Sequence, residues 1–141
     1  MDAERNKAVV ARFDELGNGT GNIDSLDELC TPDFVNHALA AGAAPGIEGT
    51  RAFLRKAARS QYPARWAQSH VVAEGDYVVV FGVREQTWPG GPFRGYDIPP
   101  GKFKRDTAFA YRLEDGRIAE RWAIRDDLAM VQQLGGRSIA G

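Results

Sequence analysis

The sequence is short of the residues from which many common sites are built. It has one cysteine, Cys30, and two histidines, His37 and His70, among 141 residues. A single thiol excludes an internal disulfide, and so few thiols and imidazoles exclude a Cys/His zinc site. Neither sign of charge dominates: 18 Lys and Arg face 19 Asp and Glu for a formal net charge of -1. The basic footprint of a nucleic-acid binder is therefore missing. Long apolar runs are also missing, since Val78–Val83 is interrupted by Gly82 and is far below the roughly 20 residues needed to span a bilayer. The first seven residues, Met-Asp-Ala-Glu-Arg-Asn-Lys, are mostly charged or polar and lead into an amphipathic pattern, so a signal peptide is not expected here. These absences predict a cytoplasmic protein without metal, membrane contact or nucleic-acid partner, folded as a single domain over residues 1–141.

The patterns that are present change once along the chain. Ala8, Val9, Arg12, Phe13 and Leu16 recur at helical spacing, and Gly17-Asn18-Gly19 ends that helix. Asp24 or Ser25 caps a short second helix through Leu29 and Cys30, which Thr31-Pro32 stops. A third helix is expected from about Glu48 to Gln61, closed by Pro63. From Trp66 onward the period is two. Gly75-Asp76 and Asp115-Gly116 mark hairpins, and Leu128, Val131 and Leu134 suggest a short C-terminal helix. Helices gathered before an antiparallel sheet, with no alternation of strand and helix, predict an α+β domain.

A two-residue turn at Asp115-Gly116 would pair Leu113 with Ile118, Tyr111 with Glu120, Phe109 with Trp122 and Arg105 with Asp126 on one face. The other face, with Ala108, Ala110, Ala119 and Ala123 crossed by Arg112, Arg121 and Arg125, would be low and flat, and it is expected to form a two-fold homodimer. Charged Arg105, Glu120 and Asp126 on a covered surface must be paired or sit at the mouth of a cavity. Tyr111 opposite Glu120 could give it a hydrogen bond. His37 has two open readings, one facing the sheet and one bonded to the following loop. Trp88 and Phe93 lie in a Gly- and Pro-rich stretch able to cover a pocket.

Asp33-Phe34-Val35-Asn36-His37, Pro45-Gly46-Ile47-Glu48-Gly49, Ala73-Glu74-Gly75-Asp76, Ile98-Pro99-Pro100-Gly101-Lys102, and Asp115–Trp122 continuing through Asp126 to Gln132-Gln133-Leu134-Gly135 together resemble the SnoaL-like polyketide cyclases. The resemblance implies a nuclear transport factor 2-like α+β cone, with three N-terminal helices packed on a curved antiparallel sheet enclosing a pocket. It further implies a cofactor-independent enzyme of antibiotic biosynthesis, closing a ring by intramolecular aldol condensation with one aspartate as general acid/base. By motif that aspartate is Asp126. Phe34, His37, Trp88, Arg105, Phe109, Tyr111 and Trp122 would bind a hydrophobic, aromatic or polycyclic substrate. Where the family carries a Gly-Thr-His-like step this chain has Gln86-Thr87-Trp88-Pro89, so a histidine donor is missing there. Relatives on the same fold offer three alternatives: a hydroxylase, an epoxide hydrolase using two aspartates bridged by arginine, and a binding protein without catalysis.

Overall fold

The computed structural model describes residues 2–139. Helix α1 spans Ala3–Gly17, and its first turn is closed by Asp2, whose carboxylate accepts from the backbone N–H of Glu4 and Arg5. Its buried stripe is Asn6, Val10, Phe13 and Leu16, while Ala8 and Arg12 face solvent. After a 3-10 turn at Ile23–Ser25 come α2 (Leu26–Leu29), strand β1 (Cys30–Asn36) and α3 (Gly46–Ala58). Helix α3 ends three residues short of the expected Gln61. The remainder is β2 (Arg65–Glu74), β3 (Tyr77–Trp88), β4 (Gly91–Phe93), β5 (Tyr96–Ile98), β6 (Gly101–Glu114), β7 (Arg117–Arg125), α4 (Asp127–Leu134) and β8 (Arg137–Ser138). Among the described residues no helix is long and apolar enough to cross a membrane.

The main sheet has the order β1-β7-β6-β3-β2, with the helices on its concave face. It is mixed, not wholly antiparallel, because β1 runs parallel to β7. A chain that passes through α3, three long strands and their hairpins before returning to β1's edge is free to arrive in either direction. Two apolar clusters fill the cone. The larger, at the closed end, joins Phe13, Leu16, Leu54, Val80, Tyr111 and Ile118 with their neighbours. The smaller joins Ile98, Phe103, Met130 and Val131 under Trp88 and Phe93.

Gly75-Asp76 forms the expected turn, placing Glu74 opposite Tyr77 and His70 opposite Phe81. At Asp115-Gly116 the turn also forms, but the register changes after two pairs. Glu114 and Leu113 oppose Arg117 and Ile118, and then a bulge at Ala119 puts Glu120 opposite Arg112, Arg121 opposite Tyr111, and Ala123 opposite Phe109. The bulge turns Glu120, Trp122 and Ile124 to the outer face and brings Arg121, Ala123 and Arg125 inside. Expected partners of the pocket and of the flat face thus exchange sides along β7. Packing gives the reason. Ile118 and Ala119 are both buried, and Arg121 then lies over the rings of Phe13, Phe109 and Tyr111, whereas Glu120 in the cone would be a desolvated anion on an aromatic wall.

β2 and β3 approach closely at Gly82, where a side chain would place a Cβ 2.0 Å from the carbonyl oxygen of Gln68, at φ +155°. Gly82→Ala is expected to destabilise the fold by about 1–3 kcal/mol, read as a lowered urea midpoint. An unchanged midpoint would show that the two strands separate there without loss.

Candidate active site

Between the two apolar clusters lies a polar layer built from alternate residues of the long strands. β3 supplies Arg84 and Gln86, β6 supplies Arg105 and Thr107, and β7 supplies Arg121 and Arg125. Arg84, Arg105 and Arg121 are 5%, 6% and 8% exposed. Helix α1 contributes Asp14, one turn beyond Val10 and so on the covered side of the helix.

Asp14 Oδ2 accepts a 2.8 Å hydrogen bond from the indole N–H of Trp66. Burial raises the Asp14 carboxyl above its ordinary value of 3.8, outweighing that hydrogen bond and the attraction of Arg84 and Arg121, which favour the ionised form. The signal that could have found it in sequence is an aspartate at the i+4 position of an apolar stripe. Aromatic rings wall this part of the layer: Trp66 meets Phe109 edge-on at 5.6 Å, and the Tyr111 hydroxyl accepts from Arg121 Nε.

Arg105 donates through Nη1 to Asp127 Oδ1 at 2.7 Å and through Nη2 to Gln86 at 2.9 Å. The other carboxylate oxygen of Asp127 meets Arg94 Nε at 2.7 Å. Arg94 sits in the β4–β5 turn with φ 49°, beside Gly95, so Asp127 ties the hairpin rim to the buried layer. A cleft of about 640 Å³ between the Tyr62-Pro63 loop and the ends of β3 and β6 reaches the layer through Gln86 and Phe103.

The residues singled out in the sequence divide between the two sides of the sheet. Arg105, Phe109 and Tyr111 line the cone interior, Phe34 lies in its closed end against Phe13, and Trp88 belongs to the smaller cluster, donating to the Ile98 carbonyl. His37 and Trp122 are together on the outer face, stacked at 5.3 Å, with His37 Nε2 2.6 Å from Glu120 Oε2. Glu120 therefore bonds His37 and Arg112 instead of Tyr111, and these two partners hold its carboxyl below the usual range. Asp126 is exposed. Its side chain caps α4 by accepting from the Ala129 N–H, and with Asp106, His70, Phe81 and Ile124 it borders an outer groove of about 530 Å³. Asp126, expected on the pocket face opposite Arg105, lies outside instead: β7 continues its alternation through Arg125, so Asp127 turns inward to Arg105. Cys30 is buried, its thiol pushed up to about 12 by desolvation, which removes it as a nucleophile. No group of three or more His, Cys, Asp or Glu among the described residues is arranged to hold a metal ion.

The SnoaL-like polyketide cyclase family description matches residues 7–134. Among solved structures, TsrD from Streptomyces laurentii is similar at 25% identity and a TM-score of 0.72, covering 96% of this chain and 98% of its own. IdmH from Streptomyces antibioticus, a proposed polyketide cyclase, gives 28% identity, a TM-score of 0.65, and coverage of 92% and 98%. A SnoaL-like protein from Jannaschia sp. CCS1 gives 27%, 0.67, 99% and 94%. No functionally curated protein matches.

Proposed function

The chain belongs to the SnoaL-like polyketide cyclase family, and from that premise we propose that it closes a ring in a hydrophobic, aromatic or polycyclic substrate by cofactor-independent aldol condensation, with an aspartate as general acid/base. The observation that carries this reading is Asp14, a carboxylate made more basic by burial, set among aromatic rings and facing two guanidiniums. Its carboxylate would take a proton from a methylene flanked by carbonyls, Arg84 and Arg121 would stabilise the enolate oxygen, and the enolate carbon would attack a second carbonyl of the same molecule. The alkoxide then recovers the proton from Asp14, so the product is an isomer of the substrate. Pre-folding against Phe109 and Tyr111 would supply the proximity term.

A second reading keeps the chemistry at Asp126, the residue marked by the family motif, and is favoured by the outer groove in which Asp126 meets Asp106 and His70. Asp14→Asn and Asp126→Asn, assayed side by side, separate the two. The epoxide hydrolase alternative needs one arginine between two carboxylates, and here Asp127 stands between two arginines instead. Full turnover in both variants would place the chemistry at neither aspartate, whereas a wild type without turnover that still binds the substrate would leave the binding-protein alternative.

The pH profile supplies a further test. Because Asp14 acts ionised, kcat/KM should rise with pH along an acid limb set above the ordinary carboxylate value. Arg121→Gln removes a cation that favours ionisation, so it should move that limb upward. A limb that stays fixed would detach Asp14 from the rate.

The outer face supports self-association as a homodimer. Val72, Tyr77, Phe81 and Ile124 are exposed there, around Ala108, Ala110 and the Trp122–His37 stack. Paired charges of both signs bound the apolar centre, Arg112 with Glu120 at one end and Lys104 with Glu85 at the other, so a second copy would meet no uncompensated ion. Ala119 is buried at the bulge, and Ala123, Arg121 and Arg125 face the cone, so these four would not contribute to such an interface. Sedimentation of the wild type is expected to show a dimer at micromolar concentration, and Ile124→Lys a monomer; a monomeric wild type would remove the interface.

A further inference from the structure

The polar layer holds more positive charge than it neutralises. The guanidinium carbons of Arg121, Arg125 and Arg84 lie 4.3, 5.5 and 5.7 Å from the centroid of one ring, Phe109. Two carboxylates face the layer. Asp127 is taken by Arg105 and Arg94, and Asp14 accepts from Trp66. Among the described residues, no carboxylate oxygen comes within 4.0 Å of Arg84, Arg121 or Arg125 in the ion pairs the fold makes. Arg84 satisfies one N–H on the neutral Asn18 side chain, and Arg121 donates to a neutral hydroxyl. Arg105 Nε is buried with no partner at all.

Guanidiniums so placed are costly. Each contact with the face of Phe109 returns less than the effective desolvation cost of a buried ion. Burial and the repulsion of Arg105 and Arg121 push the Arg125 guanidinium down to about 10. Replacing such cations by well-packed apolar residues is often neutral or stabilising, so their concentration around one ring points to a role in holding an anion.

We propose that the cone binds an organic carboxylate, its anionic group seated between Arg121 and Arg125 and its planar apolar body against Phe109. Guanidinium forks pair with carboxylates through two parallel hydrogen bonds, and the surrounding rings suit a flat body. This deepens the cyclase reading by naming the substrate class, and it rests on that reading only for the claim that the bound acid is a substrate.

Equilibrium binding tests it without turnover, so loss of the cyclase reading and loss of the carboxylate site are told apart. The probes are 2-naphthoate, the neutral 2-naphthamide of the same shape, and inorganic phosphate, titrated at constant ionic strength and followed by Trp66-sensitive fluorescence and by Tm. Naphthoate should bind at least tenfold more tightly than naphthamide and than phosphate, and should raise Tm. Arg125→Gln, at a half-buried position, should abolish the preference and the Tm rise, and should itself melt no lower than wild type because it removes a half-buried cation that pairs with no carboxylate. Arg125→Lys should retain part of the preference. Equal binding of acid and amide overturns the proposal, as does phosphate binding more tightly than naphthoate. An Arg125→Gln variant that melts lower, with naphthoate without effect on the wild type, would show that the cations are satisfied internally and would also overturn it.

Discussion

Asp14→Asn is expected to lower turnover of a confirmed cyclisation substrate by about 10²–10⁴-fold while leaving the fold intact. The amide keeps an oxygen to accept from Trp66 and nearly the same volume, so the packing of Trp66 on Phe109 is preserved. Stability should change in an unusual direction for a buried polar substitution. The folded state raises the Asp14 pKa, so ionised Asp14 is penalised relative to the unfolded chain above that raised value. The penalty fades as pH falls through the folded pKa and is gone below the unfolded value near 3.8. The Asn variant should therefore be at least as stable as wild type at neutral pH, with a margin that narrows on acidification. Thermal melts at several pH values, together with single-turnover rates, measure both. Asp126→Asn should keep its turnover, since Asn caps a helix as well as Asp does. Full turnover in Asp14→Asn with loss in Asp126→Asn would move the chemistry to the end of β7.

Local turn chemistry made much of the fold legible. Gly75-Asp76 and Asp115-Gly116 carry their hairpins in two residues each, and Gly135 with φ 72° ends α4 where Gln132-Gln133-Leu134-Gly135 suggests it. The bulge at Ala119 was not legible, because Arg117–Arg125 alternates acceptably in either phase: one phase buries Trp122 and the other buries Arg121. Only the three rings waiting at Phe13, Phe109 and Tyr111, contributed by α1 and β6, decide between them. The parallel docking of β1 was hidden for a similar reason, since a short edge strand containing Pro32 carries no period of its own. The candidate site followed the same division. Arg105, Phe109 and Tyr111 lie on β6, whose alternation holds throughout, and they face the cone as expected. Residues beyond the bulge exchanged faces, taking Trp122 out and bringing Asp127 in. Asp14 was readable in principle, but the apolar stripe had to be centred on Val10 and Phe13, not on Ala8 and Arg12.

Asp127→Asn should have the largest effect on stability, with Asp126→Asn nearly silent beside it. Arg105 is 6% exposed and its one carboxylate partner is Asp127, at 2.7 Å. The neutral amide leaves the guanidinium with Gln86 and a 3.5 Å contact to the Met130 sulfur. Removing one member of a buried pair costs about 3–5 kcal/mol. The Asp127 side chain is 23% exposed, and water there lowers the expected loss to about 2–3 kcal/mol, or roughly 5–10 °C in Tm for a chain of this size. The rim should loosen as well, since Arg94 loses the same carboxylate, and hydrogen exchange in the β4–β5 hairpin should quicken. Uncompensated charge, not lost shape, is the cause, so adding Arg105→Met to Asp127→Asn should recover part of the loss by extending the apolar cluster of Phe103 and Met130. Paired thermal melts of the two single variants and the double variant decide the matter. An Asp127→Asn protein melting within 1–2 °C of wild type, roughly 0.5 kcal/mol, would show that Arg105 is held by its neutral neighbours alone.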